Sequence, residues 1–236
     1  MRFAVYGAGS LGIVLLAKLR KETGDEITVI DRNPKSVNAI NTNGAIVVGK
    51  LQLKEKVTAI LDTEVTLKYD IIFLMTKQLG NTETVKKISK FLSDDGVICT
   101  MQNGLPEQGI SEIIGVDRTY GCTVNWGATR LEPGVSELTS EPNRESLTFC
   151  VGSYSGKRTK YLEEISRILN IVGDVTVDDN FIGMRWSKLL INSAFSGMSC
   201  VCGSTFGEIA DNEKSRHVIQ RIVKECINVA KAANIK

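Results

Sequence analysis

The sequence is poor in the residues that build metal and disulfide sites. It has one histidine, His217, and its six cysteines (Cys99, Cys122, Cys150, Cys200, Cys202 and Cys226) include no C-x-x-C pair. Zinc-ligand spacing is therefore missing. Most of the cysteines sit in apolar runs, as small core residues do in a reducing compartment. The Cys200-x-Cys202 pair carries no assignment, and His217, among Arg216, Arg221 and Lys224, reads as a surface residue. No uncharged apolar run reaches about 18 residues, so no segment is expected to span a membrane. Glycines at 7, 9 and 12 break the apolar N-terminus and no cleavage-like site follows, so secretion is not expected and the protein reads as cytoplasmic. An excess of one charge is also missing. Lys and Arg (29) nearly balance Asp and Glu (27), which gives no reason to expect a nucleic-acid partner. Four prolines and 21 glycines exclude collagen-like or linker-dominated chains. What remains is an ordinary globular composition, 42% hydrophobic and 24% charged over 236 residues, long enough to bury a core without disulfides or metal.

The chain up to Val124 alternates strand and helix patterns. Strands are expected at 2–6, 26–31, 45–48, 51–57, 70–75, 96–101 and 118–124, and helices at 10–23, 34–43 and 81–92. Such alternation predicts a mostly parallel sheet wrapped by helices, an α/β doubly wound fold. Segments 134–138 and 146–151 read as antiparallel strands closing that sheet, followed by a helix at 161–170 and a last strand at 174–177. Beyond Asp179 every apolar pattern is helical, over 181–202 and 213–234. The expected division is a nucleotide-binding domain, 1–179, and a helical domain, 180–236. Val218, Ile222, Val223, Ile227 and Ala230 form an apolar stripe on the last helix. It needs a partner, either its own domain or the second subunit of a homodimer formed through the helical domain.

Gly7-Ala8-Gly9-Ser10-Leu11-Gly12 is a G-x-G-x-x-G that follows a strand and opens a helix. That context marks a dinucleotide-binding turn: the first glycine makes the bend, the second admits a pyrophosphate and the third lets helix and strand pack closely. Asp31, at the end of the next strand, stands where a carboxylate takes the ribose hydroxyls of NADH. Arg32 beside it can bind the 2′-phosphate of NADPH or stack on adenine. A carboxylate repels that phosphate, so the local sequence favours NADH and leaves NADPH open.

Ligands of open parallel sheets bind at the carboxyl ends of the strands. Lys77 and Asn103 follow two of those ends. Lys77 could meet a phosphate or carboxylate, or be a solvated loop lysine. Asn103 could hydrogen-bond a carbonyl or carboxamide, or be half of an ordinary Asn-Gly turn. In the helical part, Arg185, Lys188, Asn192, Ser196 and Ser199 recur every three or four residues and fall within roughly 80° of a regular helix. The rest of that helix is so apolar that burial on most sides is expected. The stripe is then either a narrow solvent face or the wall of a cleft. In the second case Lys188 is the proton donor and Asn192 orients substrate.

These residues together resemble the ketopantoate reductase (2-dehydropantoate 2-reductase) family. The resemblance runs the length of the chain. It rests on Gly7-x-Gly9-x-x-Gly12, Thr76-Lys77-Gln78, Gln102-Asn103-Gly104, Gly127-Ala128-Thr129-Arg130-Leu131-x-Pro133-Gly134 and Trp186-x-Lys188-Leu189-x-x-Asn192. It implies a Rossmann domain followed by an all-helical domain like the C-terminal domain of 6-phosphogluconate dehydrogenase, with the active site between them. It implies hydride transfer from a nicotinamide, usually NADPH, to a 2-keto acid, ketopantoate, giving pantoate for coenzyme A synthesis. By the same resemblance Lys188 is the catalytic acid, Asn103 lies near nicotinamide and substrate, Lys77 lines the cofactor cleft and Asn192 contacts substrate. Ser196 stands where the family has a second substrate-binding asparagine, and Asp31 where NADPH-using members often have arginine. The family runs on past the last residue here, so the helical domain is expected to be incomplete. Opine- and glycerol-phosphate-type dehydrogenases, or a cofactor-binding module without turnover, are the alternatives.

Overall fold

The computed structural model describes residues 1–235. The chain divides into two compact units, one of residues Met1–Gln102 and Pro106–Asp179, the other of Asn103–Leu105 and the chain from Asn180 on.

The first unit begins β1 (Phe3–Tyr6), α1 (Ser10–Thr23), β2 (Thr28–Asp31), α2 (Pro34–Asn43), β3 (Ala45–Gly49), β4 (Leu53–Glu55), β5 (Thr58–Leu61) and β6 (Tyr69–Leu74). It continues with α3 (Asn81–Ile88), β7 (Leu92–Thr100), α4 (Glu107–Ile114), β8 (Thr119–Val124), β9 (Ala128–Glu132) and β10 (Val135–Leu138). It ends with β11 (Phe149–Ser153), α5 (Lys160–Asn170) and β12 (Val175–Val177). The main sheet has the order β12-β11-β8-β7-β6-β1-β2-β5. The six strands from β5 to β8 are parallel, and only the β8–β11 pairing is antiparallel. This is the Rossmann-type doubly wound arrangement that the alternating pattern predicts.

The period of two along β6 divides the core. Ile71 and Phe73 join Val5, Val29, Val97 and Cys99 on one face, covered by α1 and α5. Ile72 and Leu74 join Ala4, Ile30 and Ile98 on the other, covered by α3 and α4. A strand buried on both faces reads as an unbroken apolar run, as Ile71-Ile72-Phe73-Leu74 does. Each such side chain contributes about 1.5–3 kcal/mol by leaving water.

A second sheet, β4-β3-β10-β9, packs on α1. Covered on both sides, α1 buries Ile13, Val14, Leu15, Leu16, Ala17 and Leu19. This sheet corrects the expectation for 134–138. Instead of closing the main sheet, β10 pairs parallel with β3 and antiparallel with β9. The turn at Gly134, whose φ of 79° favours glycine, folds it back on a strand with four exposed residues and no apolar alternation. The expected strand 51–57 shortens to β4 in the small sheet, and β5, just beyond it at the edge of the main sheet, went unforeseen. The expected closing strand at 146–151 forms as β11, three residues later. The helix expected to reach residue 92 ends at Ile88, and α4 went unforeseen.

The second unit contains α6 (Phe181–Ile191), a π-helical turn at Asn192–Ser196, α7 (Gly197–Cys202), α8 (Phe206–Asp211) and α9 (Glu213–Ala232). Asparagine side chains cap two of these helices: Asn180 accepts from Gly183 N, and Asn212 from Ser215 N. Thr205 and Glu208 form a capping box that starts α8. Ala194, Ile209 and Ile219 make a small core with Phe195, Met198, Ile222 and Val223. Two expectations fail here. The segment 181–202 is not one regular α-helix, and it is not buried on most sides. Ile191 is 50% exposed and Val201 85%. Cys200 and Cys202 are exposed too, whereas Cys99, Cys122 and Cys150 are core residues. Among the described residues no helix is long and apolar enough to cross a membrane.

Candidate cofactor and substrate site

Because β5, β2, β1, β6, β7 and β8 run the same way, their carboxyl ends form one edge, and the strand order reverses between β1 and β6. Open α/β sheets hold ligands at this switch point. The glycine loop occupies it. Gly7 has φ of 112° and donates its N–H to Ile30 O at 2.8 Å. A Cβ on Gly7 would sit 3.0 Å from both Thr76 N and Thr76 Cγ2, and a Cβ on Gly12 only 2.3 Å from Gly7 O. Both glycines are required by the protein's own packing. Gly9 is different: its nearest neighbour would be Met75 O at 4.0 Å. Nothing in the chain demands a glycine there. The first turn of α1 that follows has no side-chain cap and no acidic residue, so no side chain of the protein takes up its amides or offsets the positive end of the helix dipole. Ser136 on β10, fully buried, anchors this turn from the small sheet by donating to Ser10 O at 2.9 Å, with Thr129 O at 3.2 Å as its other acceptor.

Asp31 ends β2 and is held by two backbone donors. Its Oδ2 accepts from Ala8 N at 2.7 Å and its Oδ1 from Asn33 N at 2.8 Å. The carboxylate is thereby tied to the glycine loop. Arg32 beside it is exposed. Under this rim lies a buried cluster that the sequence did not signal. Asp62, just past β5, accepts from Tyr6 Oη at 2.9 Å and from Lys87 Nζ at 2.8 Å. Burial, and then the hydrogen bond to Asp62, push the Tyr6 phenol well above the usual tyrosine range.

After β6 the chain passes Thr76, half-buried against Gly7, to the exposed Lys77. Gln102, just past β7 and 4% exposed, holds this loop. Its Nε2 donates to Asn81 Oδ1 at 2.9 Å and reaches Thr76 Oγ1 at 3.4 Å, while Thr100 Oγ1 donates to its Oε1 at 3.1 Å. The first unit thus brings the glycine loop, Asp31 and the loop carrying Lys77 to one sheet edge. The second unit carries Asn103, exposed before Gly104 with its φ of 82°, and the helical residues. There Lys188 lies half-buried in the last turn of α6 and Asn192 opens the π turn one turn on. Ser196 closes that turn and is exposed. Arg185 is buried, its guanidinium 5.3 Å from the Phe181 ring centroid.

Comparison with known proteins gives a consistent picture. Residues 3–147 match the family model described as Ketopantoate reductase PanE/ApbA. Residues 180–236 match the model for that family's C-terminal part. The chain is 29% identical to 2-dehydropantoate 2-reductase of Pyrococcus horikoshii, over 100% of this chain and 75% of the relative. Among solved structures it superposes on D-mandelate dehydrogenase with NADH and anilino(oxo)acetate with a TM-score of 0.89 at 21% identity, over 100% of this chain and 75% of that one. It also superposes on 2-dehydropantoate 2-reductase from Geobacter metallireducens with a TM-score of 0.85 at 23% identity, over 97% and 74%. The chain therefore spans about three quarters of the relatives' length.

Proposed function

The chain belongs to the ketopantoate reductase PanE/ApbA family, whose members are NAD(P)-dependent oxidoreductases acting on CH–OH groups, and on that premise we propose that it reduces a 2-keto acid, 2-dehydropantoate, to the 2-hydroxy acid pantoate. The observation that carries the reading is the space at Gly9 in front of an uncapped helix start, beside the fixed carboxylate of Asp31. The residues present suit a dinucleotide: amides for a pyrophosphate, a carboxylate for ribose hydroxyls. Such a cofactor, when bound, supplies the hydride that reaches the carbonyl carbon.

The remaining steps belong to the chain. Gly7, Ala8, Gly9, Ser10, Leu11 and Gly12 form the phosphate-facing turn, and Lys77 adds a point charge on the neighbouring loop. Lys188 donates a proton from Nζ to the carbonyl oxygen as negative charge develops there, so that ketone, hydride and proton give the alcohol. Asn103 and Asn192 hydrogen-bond the substrate and hold its carbonyl in line. Ser196 has a shorter reach than the asparagine found at that place in the family. This favours a second reading, a 2-keto acid other than ketopantoate, and the NADH-bound D-mandelate dehydrogenase makes a bulkier side chain the first alternative to try.

A steady-state assay with NADH or NADPH against ketopantoate and other branched and aromatic 2-keto acids tests this. Turnover is expected with at least one pair. Lys188→Ala should lower kcat by about 10²–10⁴, the usual contribution of a positioned acid. An unchanged kcat would remove Lys188 from the mechanism, and absence of nicotinamide binding would end the reading altogether.

A further inference from the structure

The small sheet does more than cover α1. Its edge strand β9 brings Arg130 to the first turn of α2, the helix that follows Asp31 and Arg32. Arg130 is exposed, and its Nη2 donates to Ser36 Oγ at 3.2 Å. Ser36 is 1% exposed and sits in the first turn of α2, whose cap, Asn33, follows Arg32 directly. One residue before Arg130, the carbonyl of Thr129 lies within reach of the Ser136 hydroxyl that also binds Ser10 O at the start of α1. Arg130 is thus bound to the first turn of α2, while its neighbour Thr129 is tied through Ser136 to the start of α1.

Charge makes this placement informative. Among the described residues neither Arg32 nor Arg130 has a carboxylate within ion-pair distance. The carboxylate that argues against a 2′-phosphate, Asp31, already has each oxygen on a backbone amide. Its charge is partly compensated, and it is held toward the glycine loop rather than free to swing. Two guanidiniums without a carboxylate partner, one next to the pinned Asp31 in the chain and one bound to the first turn of the helix that follows, suit a phosphate dianion, which arginine binds through parallel N–H donors.

We propose that Arg130, acting with Arg32, is a determinant of cofactor choice that contacts the 2′-phosphate of NADPH, so that the chain accepts NADPH despite Asp31. The proposal rests on the nicotinamide-binding reading above. The serine contact serves as the resting position of a side chain that turns toward the phosphate.

The test is titration of NADPH and NADH separately, by nicotinamide fluorescence, into wild type, Arg130→Ala and Arg130→Lys. One lost charge-assisted contact should raise the NADPH Kd of Arg130→Ala about tenfold or more, with the NADH Kd within about twofold of wild type. Arg130→Lys should recover part of the NADPH affinity, because it keeps the charge and loses the fork. Parallel loss of both cofactors would make Arg130 a general backbone or pyrophosphate contact and overturn the proposal. So would unchanged NADPH binding. If wild type binds neither cofactor, the nicotinamide reading itself falls, a result distinct from either.

Discussion

Two glycines of one motif should answer mutation in opposite ways. Gly12→Ala places a methyl 2.3 Å from Gly7 O, which the backbone cannot accommodate, so the expected result is a loss of several kcal/mol and a lower urea midpoint. Gly9→Ala meets nothing within 4.0 Å other than Met75 O. It should leave the midpoint unchanged and weaken cofactor binding, read by titration. The motif and its division of labour were legible in the sequence, since the limit on Gly12 is set by Gly7 O within the motif itself; the pressure of Thr76 on Gly7 was not, because only the fold brings that loop beside the turn. Asp62 was less legible still. A lone aspartate ahead of a loop looks solvated, and only the fold brings Tyr6 and Lys87 to its Oδ2. Asp62→Ala leaves a 2% exposed phenol without its acceptor and should cost about 2 kcal/mol in denaturant unfolding. Tyr6→Phe leaves the Lys87 contact intact and should cost about 1 kcal/mol or less.

At the scale of elements, the strongest signals came from strands buried on both faces and from helices with clean ends. The Pro34 start of α2 and the Gly24 end of α1 are of this kind. The failures share a cause. β9 carries exposed side chains and is fixed by pairing with β10, which is fixed in turn by β3, so its conformation depends on partners distant in sequence. The π turn at Asn192–Ser196 is another such case. Its wider winding rotates whatever follows, so the regular 100° step relates Arg185, Lys188 and Asn192 but no longer places Ser196 and Ser199 in the same arc. π turns of this kind recur at functional sites, in keeping with the two substrate-facing residues proposed on it. Ser136 links the two sheets through α1. Ser136→Ala should cost about 1 kcal/mol of stability, measured in urea.

At the scale of the molecule, all five tyrosines fall in the first unit and each phenol is raised, with burial the largest cause. Tyr161, which also hydrogen-bonds Asp95, is pushed up to about 12. A raised phenol pKa means that the folded state holds the proton more tightly than the unfolded chain. The associated stability is complete below the unfolded value of about 10 and declines as pH rises through the folded values. Phenolate absorbance should therefore lag behind that of free tyrosine and then rise steeply together with unfolding. A gradual titration centred near pH 10, with the fold intact, would contradict this. The mostly parallel, helix-wrapped sheet could be anticipated from the alternation of strands and helices; the existence of a second sheet could not, since neither of its central strands, β3 and β10, identifies the other.

That second sheet also sets an order of events. The helix behind the glycine loop is complete by Thr23 and β3 and β4 can begin to cover it, yet its outer face is not fully covered until β10, ending at Leu138, has been added beside β3. During synthesis the last part of the apolar surface of α1 waits on β10, far downstream of α1. The glycine turn, among the first parts of the chain to be made, is among the last to be locked, as expected where a contact so distant in sequence completes the packing.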